Sequence, residues 1–308
     1  MADATARQVG EAGLIRAVVA RLGTAPQVLL GPGDDAAVLA APDGRVVATT
    51  DVLVEGVHFR RDWSSAYDVG RKAAAANLAD VAAMGGTGTA LLVGLCAPGD
   101  LPVDWAAGLA DGLRDEAALV GAVVVGGDTV QGSHVVVSVT ALGDLGGRPP
   151  VTRAGARPGD VLVVAGVLGG AAAGLALLQA GRRSGALVAA HRRPRVPYAL
   201  GPVLADLGAT AMCDVSDGLV SDLGQLCSAS GVGALLDAAA VPAADGASRL
   251  DVLHGGEDHG LLATVPLAAV EELHALGAVA VGRVREGEGV HEVHGERLEP
   301  AGWEHWGS

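Results

Sequence analysis

The feature that most constrains this chain is a recurring stop: hydrophobic runs end, for the most part, at a carboxylate set beside glycine or a hydroxyl residue. The six pieces are Gly33-Asp34-Asp35-Ala36-Ala37-Val38, Thr49-Thr50-Asp51, Asn77-Leu78-Ala79-Asp80, Gly126-Gly127-Asp128-Thr129, Asp214-Val215-Ser216-Asp217-Gly218 and Gly255-Gly256-Glu257-Asp258. Runs such as Ala122-Val123-Val124-Val125 read as buried strands, and they alternate with stretches of helical period. Aromatic residues are 2% of the chain while half of it is hydrophobic, so the core is built from Ala, Val and Leu. With 308 residues there is chain enough for two domains.

Taken in order, residues 8 to 22 have helical spacing and Val46–Asp51 reads as a strand, with Thr49 and Asp51 on one face and Thr50 on the other. The spacing predicts helices over 66–84 and 104–119 and strands over 90–96, 122–125 and 135–142. On the first of these helices Asn77, Asp80 and Met84 share one face, where a carboxylate turned inward needs a partner. Gly146-Gly147-Arg148-Pro149-Pro150 marks the domain boundary, giving an N-terminal domain over 1–148 and a C-terminal domain over 149–308. The second half reads as strand 161–165, helix 171–181, a basic loop Arg182 to Arg195, helix 198–207, strand 211–215, helix 219–230 capped by Ser216 or Asp217, strands 234–236, 261–265 and 278–284, and helix 267–276.

Several functions are excluded. A formal net charge of -14 argues against nonspecific nucleic-acid or anionic-membrane binding. Cys96, Cys213 and Cys227 have neither CxxC spacing nor an even number and read as small hydrophobes in a reducing compartment. The opening residues lack a signal peptide, and residues 161 to 180 are apolar but broken by Gly166, Gly169, Gly170 and Gly174, so neither a leader nor a membrane span is expected and the cytoplasm is the expected location. Gly166-Val167-Leu168-Gly169-Gly170 is not GxGxxG, and GxxxxGK[ST] and GxSxG are absent. What remains is a chain rich in oxygen ligands. Asp34 and Asp35 side by side cost up to ~4 kcal/mol in mutual repulsion at ~4 Å, which a bound cation removes. Hard oxygen donors select Mg²⁺ or Ca²⁺, and Mg²⁺ bridges carboxylates to phosphates. We therefore expect the acids to converge on one site and hold Mg²⁺ against the phosphates of a nucleotide.

The six pieces in this order, with Gly56-Val57-His58-Phe59, Val81-Ala82-Ala83-Met84-Gly85 and Leu219 extending three of them, resemble the motif series of the thiamine-monophosphate kinase family over nearly the whole chain. The resemblance implies an α/β (α+β), two-domain aminoimidazole ribonucleotide synthetase-like fold, with an N-terminal mixed-sheet domain that pairs with its partner's in a homodimer and a C-terminal α/β domain that closes the cleft. It implies ATP as co-substrate, thiamine monophosphate as acceptor and several Mg²⁺. Asp35, Thr49, Thr50, Asp51, Asp80, Asp128, Asp214 and Asp217 correspond to metal ligands, with Asp34 orienting Asp35 or binding metal itself. Gly127, Asp128, Arg153 and Ser216 correspond to ATP contacts, and His58, Glu257 and Trp303 to substrate contacts. Asp51, Asp128 and Asp217 are the residues expected to carry catalysis. Two positions depart from the family pattern: His259 stands where Tyr or Phe is usual, and Val120 where an aromatic often precedes the glycine, which weakens the expected adenine stacking. Two other readings stay open here, an amidine-forming synthetase of the purine pathway and a nucleotide-binding regulator without catalysis.

Overall fold

The protein is described here from a computed structural model covering residues 4–31 and 37–302. Asp34, Asp35 and Trp303 lie outside the described residues. The chain divides into two compact units: the first extends to Val81 and resumes over Thr87–Gly146, and the second holds Ala82–Gly86 and everything from Gly147 onward.

The first unit runs α1 (Ala6–Val19), β1 (Val28–Leu30), β2 (Val38–Leu39), β3 (Val47–Val54), α2 (Ala66–Ala83, of which Ala82 and Ala83 belong to the other unit), β4 (Thr87–Ala97), α3 (Val103–Ala117), β5 (Val123–Gln131) and β6 (Val136–Asp144). Four of these strands form a mixed sheet in the order β3-β6-β4-β5, in which only β4 and β5 are parallel. Its two faces differ. Thr49, Asp51 and Leu53 alternate with Ala48, Thr50 and Val52, and the second set is exposed. Ala-rich α2 is buried along most of its length. Burial of its Ala side chains involves little rotamer entropy, so a close-packed helix forms without large residues.

The strand β5 runs further than the expected 122–125: it continues through Gly126-Gly127-Asp128-Thr129 to Gln131. A Cβ on Gly127 would stand 1.9 Å from the carbonyl oxygen of Val93. Glycine is there to let two strands approach closely.

The second unit runs β7 (Val161–Ala165), α4 (Gly170–Gln179), α5 (Ala186–Arg192), α6 (Leu200–Asp206), β8 (Ala211–Val215), α7 (Leu219–Ser230), β9 (Gly233–Leu236), α8 (Arg249–His254), β10 (Gly260–Val265), α9 (Val270–Ala275), β11 (Ala278–Arg285), β12 (Val290–Glu292) and β13 (Arg297–Leu298). Its seven-stranded sheet has the order β13-β12-β9-β11-β7-β10-β8. The central β7 and β10 and the edge strand β8 are buried at every position, which is why they read as continuous apolar runs. The basic stretch expected as a loop contains α5, whose Val188 and His191 are buried. The short α8 was not legible as a helix, and it is closed by a reciprocal cap between Ser248 and Asp251. Among the described residues no helix is long and apolar enough to cross a membrane.

Candidate active site

In the first unit, the residues singled out for metal are set by strand parity and by α2. The Thr49 hydroxyl donates to Asp80 Oδ2 at 2.7 Å, joining β3 to α2. The Asp51 N–H donates to Asn77 Oδ1 at 3.0 Å, and the Asn77 amide donates back into its helix at the Ala73 carbonyl. Asn77 is wholly buried, so both ends of its side chain are used to fix β3 against α2. Thr49, Asp51 and Asp80 thus form one group. Thr50 points to the other face, where its hydroxyl donates to the Val139 carbonyl and accepts from Thr140.

Asp128 lies on that second face too. Gly94 pairs with Asp128 and with Ser138, and Ser138 pairs with Val52, so these four share a row and a side. Asp51 sits in the adjoining row with Val139, Val93 and Gly127, facing the opposite way. Three strand spacings separate β3 from β5, about 14 Å at ~4.8 Å each. Within the first unit the structure therefore brings Thr49, Asp51 and Asp80 together and sets Asp128 apart. One Asp128 oxygen accepts the N–H of Thr129 at 2.8 Å. Along the exposed face runs a cavity of about 1190 Å³, lined by α1, α3 and the sheet and reaching Gly127, Asp128 and Thr140.

His58 belongs to a turn after β3. Its Nδ1 accepts the N–H of Val54 at 3.0 Å, and its carbonyl accepts from Lys72 of α2 at 3.1 Å.

In the second unit two segments are bound together. The Glu257 N–H donates to the Ser216 carbonyl and the His259 N–H to the Val215 carbonyl, at 2.8 and 2.9 Å. This unites the pieces carrying Asp214, Ser216, Asp217 and Glu257. His259 Nδ1 stands 3.0 Å from Asp214 Oδ2, with both side chains buried. The polar ring that replaces an aromatic thus has a definite partner. Glu257 and His259 hold φ of 67° and 52°, the only positive values at non-glycine positions among the described residues. Backbone in this region costs of order 1 kcal/mol or more per residue and persists where its surroundings impose it. Glu257 also lies 3.8 Å from His191 Nδ1.

Two acids in this unit have roles that sequence reading did not assign. Neither Ser216 nor Asp217 caps α7. The carboxylate of Asp222, one turn inside the helix, accepts the N–H groups of Asp217 and Gly218, both at 3.1 Å. Burial first, and then the charge of Asp214, push Asp222 up to about 7. Asp258 accepts the N–H groups of Gly169 and Ala171 at the start of α4, and burial above all pushes its pKa up to about 6. That carboxylate occupies the place a phosphate would take, so the Gly166–Gly170 loop is a capped helix start and not a dinucleotide site. An acid at the fourth helical position after Ser-Asp-Gly was the available signal for Asp222; Asp258 had none, since its partner lies 89 residues away. Arg153 is exposed, and burial drives the thiol of Cys213 well above its usual range.

The donors gathered in each unit are hydroxyl and carboxylate oxygens, which suits Mg²⁺. The charge of Asp214 adds to burial in raising the affinity of Asp222 for a proton, the condition a cation relieves. No three acidic, histidine or cysteine groups among the described residues form a complete cage. The donors fit a Mg²⁺ that keeps water and substrate phosphate as its other ligands.

The fold and these acid sets define a two-domain protein of the AIR synthase related class: the N-terminal domain model of that group matches residues 33–145 and the C-terminal one residues 157–294. A thiamine-monophosphate kinase from Mycobacterium tuberculosis is 46% identical over 98% of this chain and 93% of its own. The crystal structure of thiamine-monophosphate kinase from Stenotrophomonas maltophilia superimposes with a TM-score of 0.82 at 34% identity, covering 92% of this chain and 96% of that one. A structure described as AaThiL complexed with AMPPCP and TMP gives 0.80 at 33%, covering 97% and 98%. The chain belongs to the thiamine-monophosphate kinase family.

Proposed function

We propose that the protein transfers the γ-phosphoryl group of ATP directly to thiamine monophosphate, giving ADP and thiamine diphosphate. The observation that carries this reading is the 46% identity to a thiamine-monophosphate kinase over 98% of the chain. The family's acids stand here in defined local frames, Asp80 bonded to Thr49 and Asp214 to His259.

The nucleophile is a phosphate monoester with its second pKa near ~6, already mostly dianionic at neutral pH. No side chain has to remove a proton. The barrier lies in bringing two polyanions into line, and it is met by positioning and charge neutralisation. Bound Mg²⁺ supplies that neutralisation. Thr49, Thr50, Asp51, Asp80, Asp128, Asp214 and Asp217, with Asp34 and Asp35, are the residues assigned to hold it. Gly127, Asp128, Arg153 and Ser216 are assigned to ATP, the Arg153 guanidinium supplying fixed positive charge. His58, Glu257 and Trp303 are assigned to thiamine monophosphate, the indole suiting a flat cationic ring.

We assign the protein as a homodimer formed through the first unit, in the cytoplasm. The exposed sheet face carrying Val52, Leu92 and Val130 is the apolar surface a second copy would cover. The division of labour assigned to the domains 1–148 and 149–308 is metal and nucleotide binding with dimerisation in the first and closure of the active site in the second.

The test is chromatographic detection of thiamine diphosphate from ATP and thiamine monophosphate. Product is expected with Mg²⁺ and none after chelation. A labelled phosphoryl group trapped on the protein would contradict direct transfer.

A further inference from the structure

We propose that Lys72 is a positioning residue: it fixes the turn 54–59 so that His58 offers the substrate an N–H donor at Nε2. The inference rests on the assignment of His58 to thiamine monophosphate made above.

Lys72 is the only lysine in the chain, the other 20 of 21 basic Lys and Arg positions being arginine. It lies on α2 with 3% exposure, and its Nζ donates to the His58 carbonyl at 3.1 Å. An ammonium taken out of water is costly unless acceptors receive its protons. It is also a compact point donor, where a guanidinium is a broad planar fork. A chain that otherwise relies on arginine places its one ammonium where a small donor must reach a carbonyl from inside. Arg71, next to it, turns instead to Glu116 and Tyr67.

The turn that Lys72 reaches is held on its other sides. The His58 N–H donates to the Val54 carbonyl at 2.9 Å and the Gly56 N–H to the Phe59 carbonyl at 2.8 Å. The Phe59 ring is buried. Glu55 receives the N–H of Val135 and pairs with Arg61. Within this frame His58 has no choice of tautomer. Its Nδ1 accepts the Val54 N–H, so the proton of the neutral ring sits on Nε2. An N–H matches an acceptor oxygen of the monophosphate and not the cationic ring. Lys72 therefore acts through His58.

Lys72→Met keeps the stem and removes charge and donor; Lys72→Gln, a shorter donor, carries the same comparisons if the methionine variant does not fold. In the ligand-free protein, exchange of the Gly56 and His58 amides should quicken by about tenfold while amides of β6 do not change. In the assay, the KM for thiamine monophosphate should rise by about tenfold with the KM for ATP within about twofold. Lys72→Met combined with His58→Ala should be no worse than His58→Ala alone, since the two act on one path. Unchanged exchange overturns the tether, and additive losses overturn action through His58. If His58→Ala leaves the KM for thiamine monophosphate unchanged while exchange responds to Lys72→Met, the substrate assignment of His58 is what fails, and the purpose given to the tether falls with it.

Discussion

The acids of the two units are held in opposite ways. In the first, Asp80 is bonded to a neutral hydroxyl and Asp51 is fixed through its own N–H by a buried amide, all on regular strand and helix. In the second, Asp214 and Asp222 are both buried, the charge of the first raising the pKa of the second, and the segment at Glu257 and His259 takes up left-handed backbone. The first arrangement presents its charges at little cost to the fold. The second stores unfavourable charge and backbone conformation beside the groups assigned to the reaction. Substitutions should therefore separate: those in the first unit reach activity alone, and those in the second reach stability as well.

The largest effect tests the first half of that contrast. Asp51→Asn should lower turnover by about a hundredfold or more while leaving the thermal midpoint unchanged, since the Asn77 contact is to the backbone of residue 51. Near-normal turnover at saturating Mg²⁺ would remove Asp51 from the ligand set.

The pH dependence of stability tests the second half. Burial raises the pKa of Asp258 in the fold to about 6 from an ordinary 3.8. A raised acid favours the fold when protonated. Its contribution is complete below about pH 4 and is lost as pH rises through about 6, with a full span on the order of 3 kcal/mol. The difference in unfolding free energy between the parent chain and Asp258→Asn, measured from pH 4 to pH 7, should follow that curve. A flat difference would mean that the α4 amides hold the carboxylate charged throughout.

Asp222 should give a smaller and more discriminating result. Both amides it receives go to a single oxygen. Asp222→Asn keeps that acceptor and removes the charge, so stability should stay within about 1 kcal/mol of the parent. Asp222→Ala orphans two amides and should cost about 2 kcal/mol by denaturant unfolding. Equal losses in the two would show that the carboxylate's charge holds the helix start, and not its geometry.

The same contrast explains what could be read from the chain beforehand. Thr49 and Asp51 on one face with Thr50 on the other followed from strand alternation, and the inward-facing Asp80 needing a partner followed from helical spacing; both are local rules. The side of the sheet taken by Asp128 was not legible, because it depends on β5 continuing through two glycines that ordinarily signal a turn. The buried carboxylates were hidden for a different reason. Asp258 meets α4 across 89 residues, and His259 meets Asp214 across 45. No period in the sequence encodes contacts of that range. The α5 helix was masked by arginines around a short apolar stretch, since its buried side amounts to Val188 and His191.

The smallest expected effect is the sharpest test of stored strain. Glu257 holds φ of 67°, a region glycine occupies without a Cβ penalty. Its pairing with His191 is long, at 3.8 Å, and partly exposed, so losing it should cost little. Glu257→Gly should therefore raise unfolding free energy by about 1 kcal/mol, relief of the left-handed conformation outweighing the added freedom of the unfolded chain. The same variant should lose affinity for thiamine monophosphate, read as a rise in KM. Stability gained with affinity lost is the signature of a segment strained for its function. A fall in stability would show that the 255–259 segment sits in its conformation without cost, and the contrast between the two units would reduce to buried charge alone.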